Sequence, residues 1–357
     1  MGVDGFRFDL AVTNARAEGN YMPGAPFLSC ITQDPILNRM KMIAEPWDLG
    51  YGGYRLGGFP VGWSEWNDKY RDDMRRFWRG DGGLAGRFAS RIAGSSDIFG
   101  YRGPAASLNF VTAHDGFTLA DLVSFTTKHN EVNGENNCDG TAENFSSNHD
   151  VEGPTPDAQI NAARLTHRRN LIATLLLSQG IPMVLMGDES GRTQHGNNNA
   201  YCQDNEISWM DWESADSSFL RFVQFLTGLR AAHPVFRRAH YFTGVAGAAG
   251  VRDVTWVSRR GGDMRPEDWA DPQTRVLGIL FHKASDAGAL GADGGDGART
   301  FLLLINAGHG MSSFCLPEQI EWRRLFDTSE TDPLAEFGPV RVSYSLNAHS
   351  LVLLSTT

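Results

Sequence analysis

From the start of the chain to about Ala239, short apolar runs of strand length alternate with longer segments in which apolar residues recur every three or four positions. Phe6 and Phe8 flank Arg7 in a run that ends at Asp9. Lys41 to Ala44 ends at Glu45, Leu108 to Thr112 ends near His114 and Asp115, and Met183 to Met186 ends at Gly187-Asp188-Glu189. Between these runs the spacing predicts helices. One covers Ser64 to Trp78, where Trp66, Tyr70, Met74, Phe77 and Trp78 share a face; a second covers Pro156 to Ser178, with Asp157 near its start; a third covers Ser217 to Ala232. Alternation of this kind predicts βα units and a parallel sheet.

The pattern changes after about His240. Val254 to Val257, Val276 to Phe281, Thr300 to Ile305 and Ser350 to Leu354 are strand-length and separated by Gly- and Asp-rich turns, with no long helical pattern between them. The expected organisation is therefore an α/β unit over residues 1–239 and a small all-β unit over 240–357. Within the second, Ser285 to Gly297 is of low complexity and is expected to be a mobile loop. The longest apolar stretch, Leu171 to Leu177, stops at Gly180 and Pro182, well short of the roughly 20 residues that cross a bilayer.

Composition narrows the function classes. With 357 residues, 41% hydrophobic and 21% charged, the chain has ordinary globular composition and room for about two domains. A net charge of -10 discourages nucleic acid and anionic membrane surfaces as partners and suits a neutral ligand. The four cysteines, Cys30, Cys138, Cys202 and Cys315, form no CxxC pair and are expected to be free thiols. The first residues, MGVDGFRFDL, carry charges where a secretory signal is apolar, so the cytoplasm is the expected compartment. Nine Trp, eight Tyr and 21 Phe supply rings on which sugar faces stack, although packing explains any single one as well.

Three of the strand candidates end in an acid: Asp9, Glu45 and Asp115. In a parallel α/β barrel the C-terminal strand ends converge on one face, so acids distant in sequence share a site. The plainer role for each is to cap the following helix or turn. Arg7 lies two positions before Asp9, hence on the same side of a strand, where it can keep that carboxylate ionised and nucleophilic. Glu45 sits among Ile43, Ala44, Pro46 and Trp47, an apolar wall of the kind that raises a carboxyl pKa toward that of a general acid. His114 supplies a donor for a hydroxyl-bearing ligand. His129, His149, His167 and His195 show no metal-ligand spacing, so neither a metal nor another cofactor is expected.

These residues carry a resemblance. Gly5-Phe6-Arg7-Phe8-Asp9-Leu10-Ala11 resembles the second characteristic region of the α-amylase superfamily of glycoside hydrolases (family 13), Ala44-Glu45-Pro46-Trp47-Asp48 the third, and Phe110-Val111-Thr112-Ala113-His114-Asp115-Gly116 the fourth. Gly187 to Trp212 and Ser64 to Trp78 are similar to the glycogen-debranching, isoamylase-type branch. The resemblance implies a (β/α)8-type barrel, present from about its fourth strand onward, followed by a C-terminal β-sandwich. It implies Asp9 as nucleophile, Glu45 as acid and base, Asp115 as transition-state stabiliser, and Arg7, His114 and Trp47 as substrate-binding residues. The implied substrate is an α-1,6 branch point in glycogen or limit dextrin, cleaved with retention by carboxyls about 5 Å apart.

The family's first region, an Asp-x-x-x-Asn-His pattern, does not precede the second; Asn148-His149 has the dipeptide in another place. The expectation is that the chain is a C-terminal portion with little or no turnover by itself. Three alternatives stay open: an inactive fragment, a carbohydrate-binding protein without turnover, and, among enzymes, an isoamylase or an α-1,4-cleaving amylase.

Overall fold

The computed structural model describes residues 2–247, 250–282, 299–317 and 320–356. The segment Ser285 to Gly297 lies outside the described residues.

A parallel five-stranded sheet organises the first part. Its strands are β1 (Gly5–Phe8), β2 (Lys41–Ala44), β3 (Trp63–Asn67), β4 (Ser107–Asn109) and β5 (Ile181–Pro182), hydrogen-bonded in that order. The register sets Phe8 beside Ala44, Ala44 beside Glu65, and Asn67 beside Asn109, so the C-terminal ends of neighbouring strands lie level. Period-two alternation divides the side chains. Met42, Ala44 and Trp63 enter an apolar cluster with Leu28 and Ile31 of helix α1 (Pro26–Gln33), whereas Ile43, Trp66 and Leu108 meet on the opposite face with Phe110 and Met183. β1 and β5 have no further strand partner among the described residues.

Three sequence expectations are corrected here. The helical spacing over Ser64 to Trp78 is helical only from Asp68: Trp63–Asn67 is β3, and helix α2 is Asp68–Arg79. Asn67 makes the switch, because its side-chain oxygen accepts the Tyr70 N–H at 2.9 Å and so starts the helix immediately after the strand. The run Met183 to Met186 is not a strand; the paired residues are Ile181–Pro182, placed after the preceding helix. Proline lacks an N–H to donate, which suits an outer strand with a single neighbour. The strand predicted over Leu108 to Thr112 pairs over Ser107–Asn109.

Helices α3 (Ala85–Ile92), α4 (Ala158–Leu177) and α5 (Ser217–Ala232) complete the layer behind the sheet. Asp157 and Asp216 cap α4 and α5 by accepting the first free backbone N–H groups. Past residue 240 the strands are β6 (Val254–Ser258), β7 (Val276–Phe281), β8 (Phe301–Asn306), β9 (Ser312–Cys315), β10 (Arg323–Asp327), β11 (Ser343–Leu346) and β12 (Ser350–Ser355). Five of them form an antiparallel sheet in the order β10-β12-β8-β7-β6, and β9 pairs with β11. On β8, Leu303 and Ile305 face a core shared with α2, α4 and α5, whereas Leu302 and Leu304 face Phe314, Trp322 and Leu346 on the other side. The four cysteines are exposed and unpaired. No helix among the described residues is long and apolar enough to cross a membrane.

Candidate active site

The register that levels the strand ends brings Asp9 and Glu45 side by side. The Glu45 N–H donates to Phe8 O at 3.1 Å and the Ala11 N–H to Glu45 O at 3.0 Å, so the backbone tethers both residues as they leave their strands. Leu10, between them in this arrangement, has φ 40° and ψ 51°, the left-handed region that costs a β-carbon-bearing residue roughly 1–2 kcal/mol. That turn aims the Leu10 N–H at Glu45 Oε2, 2.6 Å away.

Arg7 joins the two acids. Its Nη1 donates to Asp9 Oδ1 at 2.6 Å, and its Nη2 lies 3.1 Å from Glu45 Oε2. The guanidinium is itself seated on the face of Trp66, 4.3 Å from the ring centroid, so its position is set by packing as well as by charge. Trp66 in turn meets Phe110 at 5.5 Å and the edge of His114 at 5.8 Å between ring centroids. One buried indole on β3 thus underlies residues delivered by two other strands, β1 and β4.

The environments drive the two carboxyls apart. The Asp9 side chain is 74% exposed and that of Glu45 only 6%. The hydrogen bond from Arg7 holds the Asp9 carboxyl below the usual carboxylate range, helped by the nearby Glu45 and His114. Burial pushes the Glu45 carboxyl up, against the opposing pull of Leu10 N–H and Arg7, and the negative charge of Asp9 pushes it further. One carboxyl held low and its neighbour pushed high on one face is the arrangement that nucleophile and proton donor require.

His114 and Asp115 are both exposed at the tip of the segment that follows β4. Trp47 is half-buried and packs against the cluster formed by Trp66, Leu108, Phe110 and Ala113, so part of its ring belongs to the core under the site. The sequence reading missed Leu10, whose contribution is a backbone N–H that no side-chain motif reveals, and Trp66, which the helical spacing assigned to the wrong element. The signal for Trp66 was present in Gly62 and Asn67, a turn residue and a helix cap bracketing a strand-length run.

Among the described residues no group of three or more His, Cys, Asp and Glu is arranged to hold a metal ion. A separate cavity of about 330 Å³ follows β5, lined by Arg192, Thr193, His195, Glu206, Trp209 and Met210 among others; none of the three candidate acids borders it.

No protein-family model matches the chain. It is 46% identical over its whole length to the glycogen operon protein GlgX homolog of Mycobacterium tuberculosis and covers 51% of that protein. It is 51% identical to the glycogen debranching enzyme of Serratia proteamaculans over 99% of this chain and 49% of the relative. The chain therefore spans about half the length of these curated relatives. In fold it is similar to the pullulanase of Anoxybacillus sp. LM18-11 solved with maltotetraose (TM-score 0.66, 20% identity, 100% of this chain and 44% of that one) and to that of Paenibacillus barengoltzii (TM-score 0.63, 23% identity, 99% and 48%).

Proposed function

We propose that the chain belongs to the family of bacterial glycogen debranching enzymes within the α-amylase superfamily and that its site is built for retaining hydrolysis of α-1,6 branch linkages in glycogen or limit dextrin. The observation that carries the reading is the Arg7-bridged pair, with Asp9 exposed and its carboxyl pKa held down and Glu45 buried and its carboxyl pKa pushed up.

In this mechanism Asp9 attacks the anomeric carbon at the branch while Glu45 gives its proton to the departing glycosidic oxygen, leaving a covalent glucosyl ester on Asp9. Glu45, now ionised, takes a proton from water, and the hydroxide equivalent displaces Asp9 with a second inversion, which gives net retention. The Leu10 N–H and Arg7 stabilise the carboxylate that Glu45 becomes in the first step. Asp115 grips sugar hydroxyls and favours the distorted, oxocarbenium-like transition state, His114 positions the sugar, and Trp47 offers the exposed part of its ring for stacking. No cofactor enters this scheme.

The reading extends to architecture. Residues 1–239 form the C-terminal part of a catalytic (β/α) barrel, from about its fourth strand, and residues 240–357 a C-terminal β-sandwich domain. The substrate is a branched α-glucan encountered in the cytoplasm, with neither nucleic acid nor membrane as partner. A second reading, glucan binding with little turnover, is favoured by one observation: both outer strands of the parallel sheet lack partners among the described residues, and Phe6 and Ile181 on them are exposed.

Release of reducing sugar from phosphorylase-limit glycogen, measured on the 357-residue chain beside its Asp9→Asn variant, tests the first reading. Linkage analysis of the products distinguishes α-1,6 from α-1,4 cleavage. Turnover abolished by Asp9→Asn supports debranching; glucan binding without product in either protein supports the second reading.

A further inference from the structure

Two buried aspartates outside the Arg7 pair connect the segment bearing His114 and Asp115 to the segment after β5, each reaching across to the other's backbone. Asp188, 1% exposed, lies on the later segment. Its Oδ2 accepts the Thr112 hydroxyl and its Oδ1 accepts the Leu119 N–H at 2.8 Å. Thr112 and Leu119 stand just before and just after the His114-Asp115 tip, so a single carboxylate ties both ends of that loop. Asp121, also 1% exposed, lies beyond the loop and works in the opposite direction: it accepts the Thr193 hydroxyl through Oδ1 and the Gln194 N–H through Oδ2 at 2.7 Å.

A third buried group braces the same loop from beneath. The Arg75 guanidinium, on α2, donates to Val111 O at 2.7 Å and to Asn144 O at 2.9 Å, and its positive charge faces the carboxylates of Asp115 and Asp188. Burial pushes the Asp188 carboxyl up to about 7 and lifts that of Asp121 above its usual range, against the opposing pull of the hydroxyl and backbone N–H donors.

We propose that Asp188 is a positioning residue that fixes His114 and Asp115 over the reacting sugar, with Asp121 as the reciprocal half of the clamp. This rests on the function proposed above for His114 and Asp115, while the clamp itself stands on the hydrogen bonds alone. A loop tied at both ends by one buried acceptor has less freedom at its tip than an untied one, and displacement of a catalytic group by about 1 Å is enough to cost on the order of 100-fold in rate.

The test combines amide hydrogen exchange with kinetics on the 357-residue chain, using Asp188→Ala, Asp188→Asn and Thr112→Val. Alanine removes both acceptors. Asparagine retains an oxygen for the Leu119 N–H and can donate its amide to the Thr112 hydroxyl. Valine removes one bond at nearly constant shape and serves where alanine prevents folding. In Asp188→Ala, exchange at residues 112–119 is expected to accelerate about tenfold or more while α4 stays protected. On limit dextrin, kcat is expected to fall about 10- to 100-fold with KM little changed. Asp188→Asn should restore most of both, and Thr112→Val should show a smaller shift in the same direction. Unchanged exchange at residues 112–119 in both Asp188→Ala and Thr112→Val overturns the clamp. Accelerated exchange with unchanged kcat overturns the positioning role. Absence of turnover in the unsubstituted chain counts against the function proposed above, and the exchange measurement still decides the clamp.

Discussion

The backbone N–H of Leu10 donates to Glu45 Oε2 across 2.6 Å, so the residue that follows the candidate nucleophile also holds the candidate acid. The two roles are thereby locked into one turn of chain, and the left-handed backbone of Leu10 is what aims the donor. The bond favours ionised Glu45, the form left after proton donation, and so lowers the cost of the first chemical step, while burial raises the pKa of the resting acid.

Glu45→Gln separates proton donation from nucleophilic attack. Its activity on limit dextrin is expected to fall by about 100-fold or more, the scale of a lost general acid. α-Glucosyl fluoride, whose leaving group needs no protonation, should still react with Asp9 and accumulate the glucosyl enzyme, visible by mass spectrometry of the intact chain. Equal loss on both substrates removes Glu45 from the role of acid.

Arg7→Ala releases a cation that holds both carboxyls down. Without it the Asp9 and Glu45 pKa values rise together. The acid limb of a kcat/KM profile reports ionisation of Asp9 and the alkaline limb reports loss of the Glu45 proton, so both limbs should move to higher pH. A profile that only falls in height, with its limbs in place, contradicts the shared bridge.

Asn67→Ala should destabilise the chain by about 2–4 kcal/mol, measured by urea denaturation. Asn67 is fully buried, caps α2 through Tyr70 N–H, and donates to the Ser95 and Ser107 hydroxyls at 3.0 and 2.8 Å. The cap is worth about 1 kcal/mol and the stranded buried hydroxyls about 1–3. A loss below 1 kcal/mol would mean that β3 and β4 hold their register without it.

His149 and His167 predict an acid-sensitive contact. Their rings meet with Nε2 and Nδ1 3.2 Å apart, and burial lowers their pKa values to about 4 and about 3, with Arg164 and His349 adding repulsion to the imidazolium forms. The unfolded chain takes up these protons near pH 6.5, the folded chain only near pH 3 to 4. Their contribution to stability is therefore complete above about pH 6.5 and lost progressively as pH falls toward 4. His167→Gln should flatten that part of the stability curve relative to the unsubstituted chain, as read from melting temperature across pH 4 to 7. Parallel curves would place the acid sensitivity elsewhere.

Much of this was legible in the residues. Helix α5 begins and ends where the apolar spacing predicted, and Asp157 caps α4 as its position implied, because capping and amphipathic periodicity are local. The strand ends at Asp9 and Glu45 were legible too, since each short apolar run is closed by an acid. Ser64 to Trp78 was not: aromatic residues at three- and four-residue steps satisfy a helix and a strand-plus-helix alike, and pairing with β2 and β4 chose the second.

By itself the sequence determined which residue types stand at the strand ends, the resemblance that the motifs carry, and the alternation that yields a parallel sheet. Only the tertiary structure decided that Arg7 bridges Asp9 and Glu45 from a seat on Trp66, and that two buried aspartates clamp the His114-Asp115 loop. The physical reason is range. Periodicity and capping act over a few residues of chain, whereas desolvation, ion pairing and shared hydrogen bonds depend on which distant segments the folded sheet sets side by side.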